Sequence, residues 1–305
     1  MRYRVFHRTA YEYSGRVQDS VGQFHLVPRE LPWQTVTAHA VSVAPDPDDV
    51  SRDTDWFGNA VTHFHVVEPH GRLTIEASSE VSVDTPTYDE AALGQPWERA
   101  RPLVAAHAPD AWRATEFALE SPRVQHVPET FDYAAASLVP GRPLGEAVTD
   151  LMHRIHADFE YDSTATTVTS TVADAMAKRA GVCQDFAHLA LSALRSHGVA
   201  ARYVSGYLAT RPAAGKERVF GADASHAWLA VWVPPVVERA AGETKRLSAQ
   251  WLAIDPTNDQ WANDRYVTVA WGRDYGDVSP VKGIIFTKAK KSTLRVQVDV
   301  APLDD

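Results

Sequence analysis

The segment Arg179–His188 constrains this chain most, because it contains the only cysteine among the 305 residues and lies where a helix should begin. Downstream of Cys183, the apolar residues follow the spacing of one helix face: Phe186, Leu189, Ala190, Ala193 and Leu194. Gly198 then predicts the end of the helix. A thiol in the first turn lies near unpaired backbone N–H groups and the positive end of the helix dipole, and both favour the thiolate. This pattern is typical of a nucleophile, although a lone cysteine can also be a small buried apolar residue.

Two later segments supply candidate partners for this thiol. Residues Ser225–Val233 alternate as a strand that begins next to His226, and Gln250–Asp255 predicts a strand that ends at an aspartate because a proline follows. If the two strands pair antiparallel, the start of the first lies beside the end of the second, so His226 becomes a neighbour of Asp255. Cys183, His226 and Asp255 would then be the nucleophile, the base and the residue that orients the base in acyl transfer.

Four motifs follow one another along this part of the chain: Gly181–His188, Ala201–Leu208, Ser225–Trp228 and Ile254–Asn258. In these motifs, and in Trp271–Pro280, the chain resembles the transglutaminase-like superfamily. Within that superfamily it resembles a bacterial branch of transglutaminase-like proteins and candidate cysteine proteases. The resemblance implies an α+β fold whose papain/transglutaminase-like core packs a nucleophile helix on an antiparallel sheet, preceded by an all-β, sandwich-like domain. It also implies that the catalytic residues are Cys183, His226 and Asp255.

The expected reaction is attack of the Cys183 thiolate on an amide carbonyl, followed by collapse to a thioester. The substrate would be a protein, a peptide or a small amide. An amine acceptor would make the protein a transglutaminase or another acyltransferase, whereas water would make it an amidase or cysteine peptidase. The remaining alternative is a catalytically idle binding or scaffold protein. We expect no cofactor and no metal ion in this chemistry.

Three further residues are candidates for the substrate cleft. Gln184 adjoins the nucleophile, although its side chain can point away from it. Trp228 lies two residues after the histidine, where a place in the cleft wall and a place in the core are both open. Tyr161 belongs to the aromatic segment Phe159–Tyr161 upstream of the nucleophile, which we interpret as cleft wall or as core beneath it. The backbone N–H of Cys183 should help to stabilise the oxyanion, with a second donor that the sequence does not identify.

The chain divides into three predicted regions: a β-rich domain over 1–90, a linker and helical connection over 91–145, and the catalytic core with C-terminal strands over 146–305. Turn signals separate the strands predicted in the first region: Tyr3–Tyr13, Gln23–Pro28, Gln34–Ala44, Ala60–Glu68 and Arg72–Val83. Helices are predicted from about Asp110, from Leu144 to Phe159 and from Val172 to Gly181. A loop over 211–222 is expected to border the substrate entrance.

The charge and the cysteine content of the chain limit the kinds of partner and cellular compartment that we expect. The net charge of −9 argues against binding to nucleic acid or to an anionic membrane surface. A single cysteine allows no disulfide within the chain, and Met1–Arg8 has no apolar leader pattern, so we expect a cytoplasmic protein. The pairs His63/His65 and His153/His156 lack further ligands in register, and we interpret them as ordinary histidines.

Overall fold

The computed structural model describes residues 1–210, 225–236 and 249–303. The loop predicted over 211–222 lies outside the described residues. Two large antiparallel sheets, a short parallel pair of strands and a set of helices form the regular structure of the described residues. None of these helices is long and apolar enough to cross a membrane.

The first sheet has seven strands and confirms the β-rich N-terminal region. Five of them come from the N-terminal residues: β1 (Arg2–Phe24), β2 (Gln34–Ala44), β3 (Asp49–Thr54), β4 (Ala60–Val66) and β5 (His70–Val83). β1 is one long strand where the sequence predicted a break after Tyr13. Its first half pairs with β5 and its second half with β4, and the register shifts between Glu12 and Val17. Side chains of both halves share one core, in which Phe24 and Phe64 pack with Leu73 and Ile75.

The last two strands, β13 (Val281–Thr287) and β14 (Ser292–Pro302), complete this first sheet by pairing with β1. The sequence assigned them to the catalytic core, and the structure places them in the N-terminal sheet instead. The physical reason is that β1 is long enough to bind two partners along one edge, so the C-terminus closes the domain that the N-terminus begins. The domain boundaries near residues 90 and 145 stay predictions.

Short helices connect the first sheet to the second. Within the described residues the α-helices are α1 (Glu90–Leu93), α2 (Ala111–Thr115), α3 (Pro128–Ala135), α4 (Leu144–Asp158), α5 (Val172–Lys178) and α6 (Cys183–Ser196). A capping box at Thr171 and Asp174 starts α5 at the predicted residue, Val172, and the helix ends at Lys178, before the predicted Gly181. Helix α3 has no counterpart among the helices predicted from the sequence. Two short strands, β6 (Glu160–Tyr161) and β7 (Ala180–Gly181), pair in parallel just before α6.

The second sheet is antiparallel, with the strand order β11-β10-β9-β8-β12. Its strands are β8 (Ala201–Leu208), β9 (Ser225–Val233), β10 (Gln250–Asp255), β11 (Gln260–Trp261) and β12 (Tyr266–Gly272). The predicted antiparallel pairing of β9 and β10 is confirmed, with Leu229 opposite Ile254. α6 packs on one face of this sheet, where Ala227, Leu229 and Val231 belong to the same core as Leu189.

Candidate active site

Helix α6 begins at Cys183 and presents the thiol at its N-terminus. The first intrahelical bond runs from the Phe186 N–H to the Val182 carbonyl at 3.1 Å, so the earlier N–H groups of the first turn have no partner within the helix. Val182 has no side-chain acceptor, and the cap is supplied by Asp185. Asp185 Oδ2 accepts from the Val182 N–H at 2.9 Å and from Thr166 Oγ1 at 2.6 Å. Cys183 itself is half-buried.

The antiparallel pairing of β9 and β10 brings His226 to Asp255. His226 Nε2 donates to Asp255 Oδ2 at 2.7 Å, and the side chains are 10% and 0% exposed, respectively. Because Nε2 faces the carboxylate, the other ring nitrogen is left for the thiol of Cys183, which is the second partner of the imidazole. The three residues named from the sequence therefore lie together where the tip of α6 meets the start of β9 and the end of β10.

Asp255 is held by more donors than the sequence indicated. Its Oδ2 accepts from Tyr266 Oη and from Asn258 Nδ2, each at 2.7 Å, and its Oδ1 accepts from the Thr257 N–H at 2.9 Å. Gln260 Nε2 donates to Tyr266 Oη at 2.7 Å and so orients that hydroxyl toward the carboxylate. Sequence reasoning assigned no role to Asn258 or Tyr266. The contact of Asn258 could have been predicted from the sequence, because Asn258 lies three residues after Asp255. Tyr266 lies on a different strand, and no local sequence pattern relates it to Asp255.

The electrostatics of the site favour a charged imidazole. Burial lowers the pKa of His226, but its hydrogen bonds to Asp255 and Cys183 and the charges of both partners raise the pKa to about 10. Burial also raises the pKa of Asp255, yet its bonds to His226, Tyr266 and Asn258 outweigh burial and leave the pKa below its ordinary value. The arrangement is therefore suited to hold a protonated imidazole between the Asp255 carboxylate and the Cys183 sulfur.

The three cleft candidates occupy different places. Trp228 is 1% exposed and lies beneath the imidazole, with its ring 6.1 Å from that of His226 and 5.2 Å from that of Tyr266. It is therefore buried beside the histidine on the same face of β9, and a contribution of Trp228 to the cleft wall stays a prediction. Gln184 is buried in the first turn of α6.

Tyr161 is the candidate that lies open to solvent. It is 59% exposed, its partner across the β6–β7 pair is Gly181, and its ring packs edge-on to Phe186 at 6.4 Å. Burial and the charge of Cys183 raise the pKa of Tyr161, so its hydroxyl keeps its proton at neutral pH. A neutral phenol can donate a hydrogen bond to a carbonyl oxygen.

Helix α4 fixes the segment that follows Asp255. His153 Nδ1 contacts Asp259 Oδ1, and His156 Nδ1 lies 3.1 Å from the Thr257 carbonyl oxygen. These two histidines thus connect α4 to the turn that supplies donors to Asp255, whereas the sequence suggested only a polar helix face. Of the other histidine pair, His65 Nε2 contacts Asp19 Oδ1 at 2.7 Å. The described ranges contain no cluster of three or more His, Cys, Asp or Glu side chains placed to hold a metal ion.

Comparison with known proteins agrees with this architecture. Residues 3–82 match the model of the bacterial transglutaminase-like N-terminal region, and residues 133–256 match that of the transglutaminase-like superfamily. The chain is 45% identical over 306 residues to an uncharacterized protein of Mycobacterium tuberculosis, covering 99% of this chain and 93% of that protein. An uncharacterized protein of Mycobacterium leprae is 32% identical, covering 99% of both chains.

Among solved structures, the crystal structure of a candidate cysteine protease from Cytophaga hutchinsonii is similar throughout. It superposes with a TM-score of 0.73 at 19% identity and covers 100% of this chain and 92% of its own. This likeness supports the same fold, with the nucleophile helix packed on an antiparallel sheet and a β-rich domain before it.

Proposed function

The chain belongs to the transglutaminase-like superfamily, and on this premise we propose that it is a thiol enzyme that forms a thioester from an amide and passes the acyl group to an amine or to water. The substrate class is a protein, a peptide or a small amide. One observation carries the proposal: a single imidazole, His226, contacts both the buried carboxylate of Asp255 and the thiol of Cys183 at the start of a helix. That arrangement is the one that nucleophilic acyl transfer requires.

In the first half-reaction the Cys183 thiolate attacks the amide carbonyl and forms a C–S bond. The tetrahedral oxyanion collapses as the C–N bond breaks, and the His226 imidazolium gives its proton to the leaving nitrogen. In the second half-reaction His226 takes a proton from the incoming amine or water, which attacks the thioester and releases the thiolate. Asp255 keeps the imidazole in one orientation throughout and stabilises its positive charge.

Two donors are proposed for the oxyanion. The first is the Cys183 N–H, which lies in the first helical turn and has no intrahelical partner. The second is the protonated hydroxyl of the exposed Tyr161, a residue that pairs with Gly181 of β7, two residues before the nucleophile. A donor positioned in this way stabilises the oxyanion of the tetrahedral intermediate more strongly than it stabilises the carbonyl of the bound substrate. Its removal therefore slows the chemical step without changing the reactivity of the thiol.

The first experiment measures iodoacetamide alkylation of Cys183 as a function of pH, which is unambiguous because the chain has no other cysteine. We expect alkylation of the native protein to persist well below a pH of about 8.5, the ordinary midpoint for a free thiol. His226→Ala should lose this reactivity at low pH. His63→Ala is the matched control, since His63 is an exposed histidine of the N-terminal sheet. A profile centred on the ordinary thiol range and unchanged in His226→Ala would favour the binding or scaffold alternative.

The second experiment measures ammonia release from a blocked glutamine peptide, with and without an added primary amine. Formation of an amine–peptide conjugate identifies acyl transfer, whereas release of the free acid alone identifies an amide hydrolase. Tyr161→Phe should slow release by about 10²- to 10³-fold while leaving alkylation unchanged. Equal rates in the native protein and Tyr161→Phe would remove Tyr161 from the oxyanion site.

A further inference from the structure

A cavity of about 870 Å³ lies on the face of the second sheet that points away from α6. Its position follows from alternation along β8, where Tyr203 faces α6 and packs against His188, and Arg202 points to the opposite face with Val204. The walls are unusually rich in tryptophan and arginine side chains. Because the sheet separates this cavity from the nucleophile helix, it is not part of the cleft at Cys183.

Arg202 is the centre of this cavity. It is only 7% exposed, and its guanidinium carbon lies 3.5 Å from the ring centroid of Trp271 and 4.3 Å from that of Trp251, so the cation is stacked between two indoles. Its Nε is buried without a hydrogen-bond partner, and no carboxylate of the described residues forms an ion pair with it. Burial and the positive charge of Arg29 lower its pKa well below the ordinary value.

Arg29 adds a second positive charge at the same tryptophan. Its guanidinium carbon also lies 3.5 Å from the Trp271 centroid, and since two groups cannot occupy the same place, the two arginines stack on opposite faces of the ring. Arg29 Nη1 donates to Asn59 Oδ1, while its Nε is buried without a partner. The nearby Asp55 carboxylate is already engaged by the backbone and side-chain amides of Asn59.

Two desolvated guanidinium groups without a paired carboxylate are costly for a folded protein. Stacking on indole recovers part of this cost, but it satisfies none of the in-plane N–H donors, and among the described residues only Nη1 of Arg29 has acceptors, the Asn59 side chain and the Phe57 carbonyl. A guanidinium presents those donors as a planar fork that matches the two oxygens of a carboxylate or phosphate. The geometry therefore favours an anionic group in the cavity over a neutral one.

The rim of the cavity is aromatic. Trp112 and Trp56 are 69% and 80% exposed, and Trp56 Nε1 donates to Glu116 Oε2 at 2.8 Å. The two acidic groups at the rim already have partners: Glu116 accepts the bond from Trp56, and Asp110 Oδ1 lies 3.8 Å from Arg113 Nη1. Flat indole faces around a cationic floor are suited to a planar ring with an anionic substituent.

We propose that this cavity is a binding site for a small planar, aromatic molecule that carries a carboxylate or phosphate group. The anionic oxygens pair with Arg202 and Arg29, and the ring packs against the indoles at the rim. The site is independent of the chemistry at Cys183.

The test is isothermal titration of the full chain at low ionic strength with benzoate, with phenyl phosphate and with neutral benzamide. Benzoate or phenyl phosphate should bind at least about tenfold more tightly than benzamide, as expected for hydrogen bonds to a charged group, and the comparison of the two anions identifies the preferred head group. Binding should weaken as salt is added. Equal affinity for benzamide, or no binding of either anion at millimolar concentration, overturns the proposal.

Arg202→Met removes the charge and keeps an unbranched side chain, and it should abolish the preference for the anion. Trp112→Ala changes an exposed rim residue and should weaken binding severalfold with an unchanged melting temperature, so the proposal stays testable if Arg202→Met does not fold. Both variants should keep the native alkylation profile of Cys183, which separates this site from the proposed catalytic one. Anion binding that neither variant weakens would also overturn the proposal.

Discussion

At the scale of single residues, Asp255 determines how His226 is presented to the thiol. Its carboxylate is fully buried and accepts bonds from His226, Asn258, Tyr266 and the backbone of Thr257. Each of these donors needs an oxygen acceptor, so a side chain that carries an N–H donor in place of the Asp255 carboxylate would leave some of them without a partner. The residue therefore sets both the orientation and the charge of the imidazole.

Asp255→Asn should lower the rate of thioester formation by about 10²- to 10⁴-fold, because an amide NH₂ would face other donors and no longer balance the imidazolium. The measurement is single-turnover acylation of Cys183 by the blocked glutamine peptide. Asp277→Asn is the matched control, since Asp277 pairs with Arg273 in a salt bridge at 2.9 Å outside the candidate triad. An Asp255→Asn rate within about twofold of the native rate would contradict the assigned role.

The raised pKa of His226 predicts a pH dependence of stability. The ordinary histidine value is 6.5 and the folded value is about 10, so the folded state holds this proton more tightly than the unfolded state does. The stabilisation is fully present below 6.5 and is lost as the pH rises through about 10. The free energy of unfolding of the native protein should therefore fall between these values.

Urea unfolding at a series of pH values measures this effect, and His226→Gln provides the reference. Gln does not titrate, so the difference in unfolding free energy between the two proteins should shrink across the window from 6.5 to about 10. A difference that stays constant over that range would mean that His226 is not held as an imidazolium in the folded protein.

At the scale of elements, the start of α6 depends on a close approach between Gly181 and the capping residue. A Cβ at Gly181 would lie 2.7 Å from Asp185 Oδ2 and 2.8 Å from its Cβ, closer than real side chains approach. Asp185 is the group that caps the helix at Val182, so Gly181 allows the cap and the nucleophile to be placed together.

Gly181→Ala should destabilise the protein by about 1–3 kcal/mol and reduce alkylation of Cys183, because the added methyl group pushes Asp185 away from the first turn. Thermal unfolding and the alkylation rate at neutral pH measure the two effects. Gly71→Ala is the matched control, since a Cβ there meets nothing within 4 Å. Normal stability and reactivity in Gly181→Ala would show that the cap can shift at no cost.

At the scale of the whole molecule, residues of the N-terminal region cover β12, which is an edge strand of the second sheet. Gln34 donates to the Thr268 carbonyl at 2.7 Å and accepts from its N–H at 2.8 Å. Asn59 makes the same pair of bonds to Trp271, at 2.8 and 2.9 Å. Two side-chain amides thus satisfy backbone groups of the edge strand β12, and the domains are joined by hydrogen bonds that resemble those of a further strand.

Gln34→Ala should destabilise the protein by about 1–3 kcal/mol, because it leaves the buried N–H of Thr268 without a partner, while the Thr268 carbonyl keeps only its bond from the Arg29 N–H at 3.0 Å. The midpoint of urea unfolding measures the change, and Gln18→Ala, at an exposed position of β1, is the matched control. An unchanged midpoint in Gln34→Ala would show that the edge of β12 does not need this cover.

The sequence by itself determined the local part of this protein: where α6 begins, that Cys183 heads it, and that β9 and β10 pair so that His226 meets Asp255. These features follow from short-range spacing and from residues that stop a helix or strand. Periodicity along α6 predicted one apolar face, but the structure buries every residue from Gln184 to Arg195. Its polar residues bind distant segments, as Ser192 does with Thr130 at 2.9 Å.

Only the tertiary structure decided which distant groups meet. It placed Tyr266 on the carboxylate of Asp255, the C-terminal strands on β1, and Arg202 between Trp251 and Trp271 behind the sheet. The residues in each of these contacts lie on different elements, and no local propensity relates one to the other. Burial against a particular neighbour is set by how the sheets and helices pack, so these contacts emerge only when the whole chain is folded.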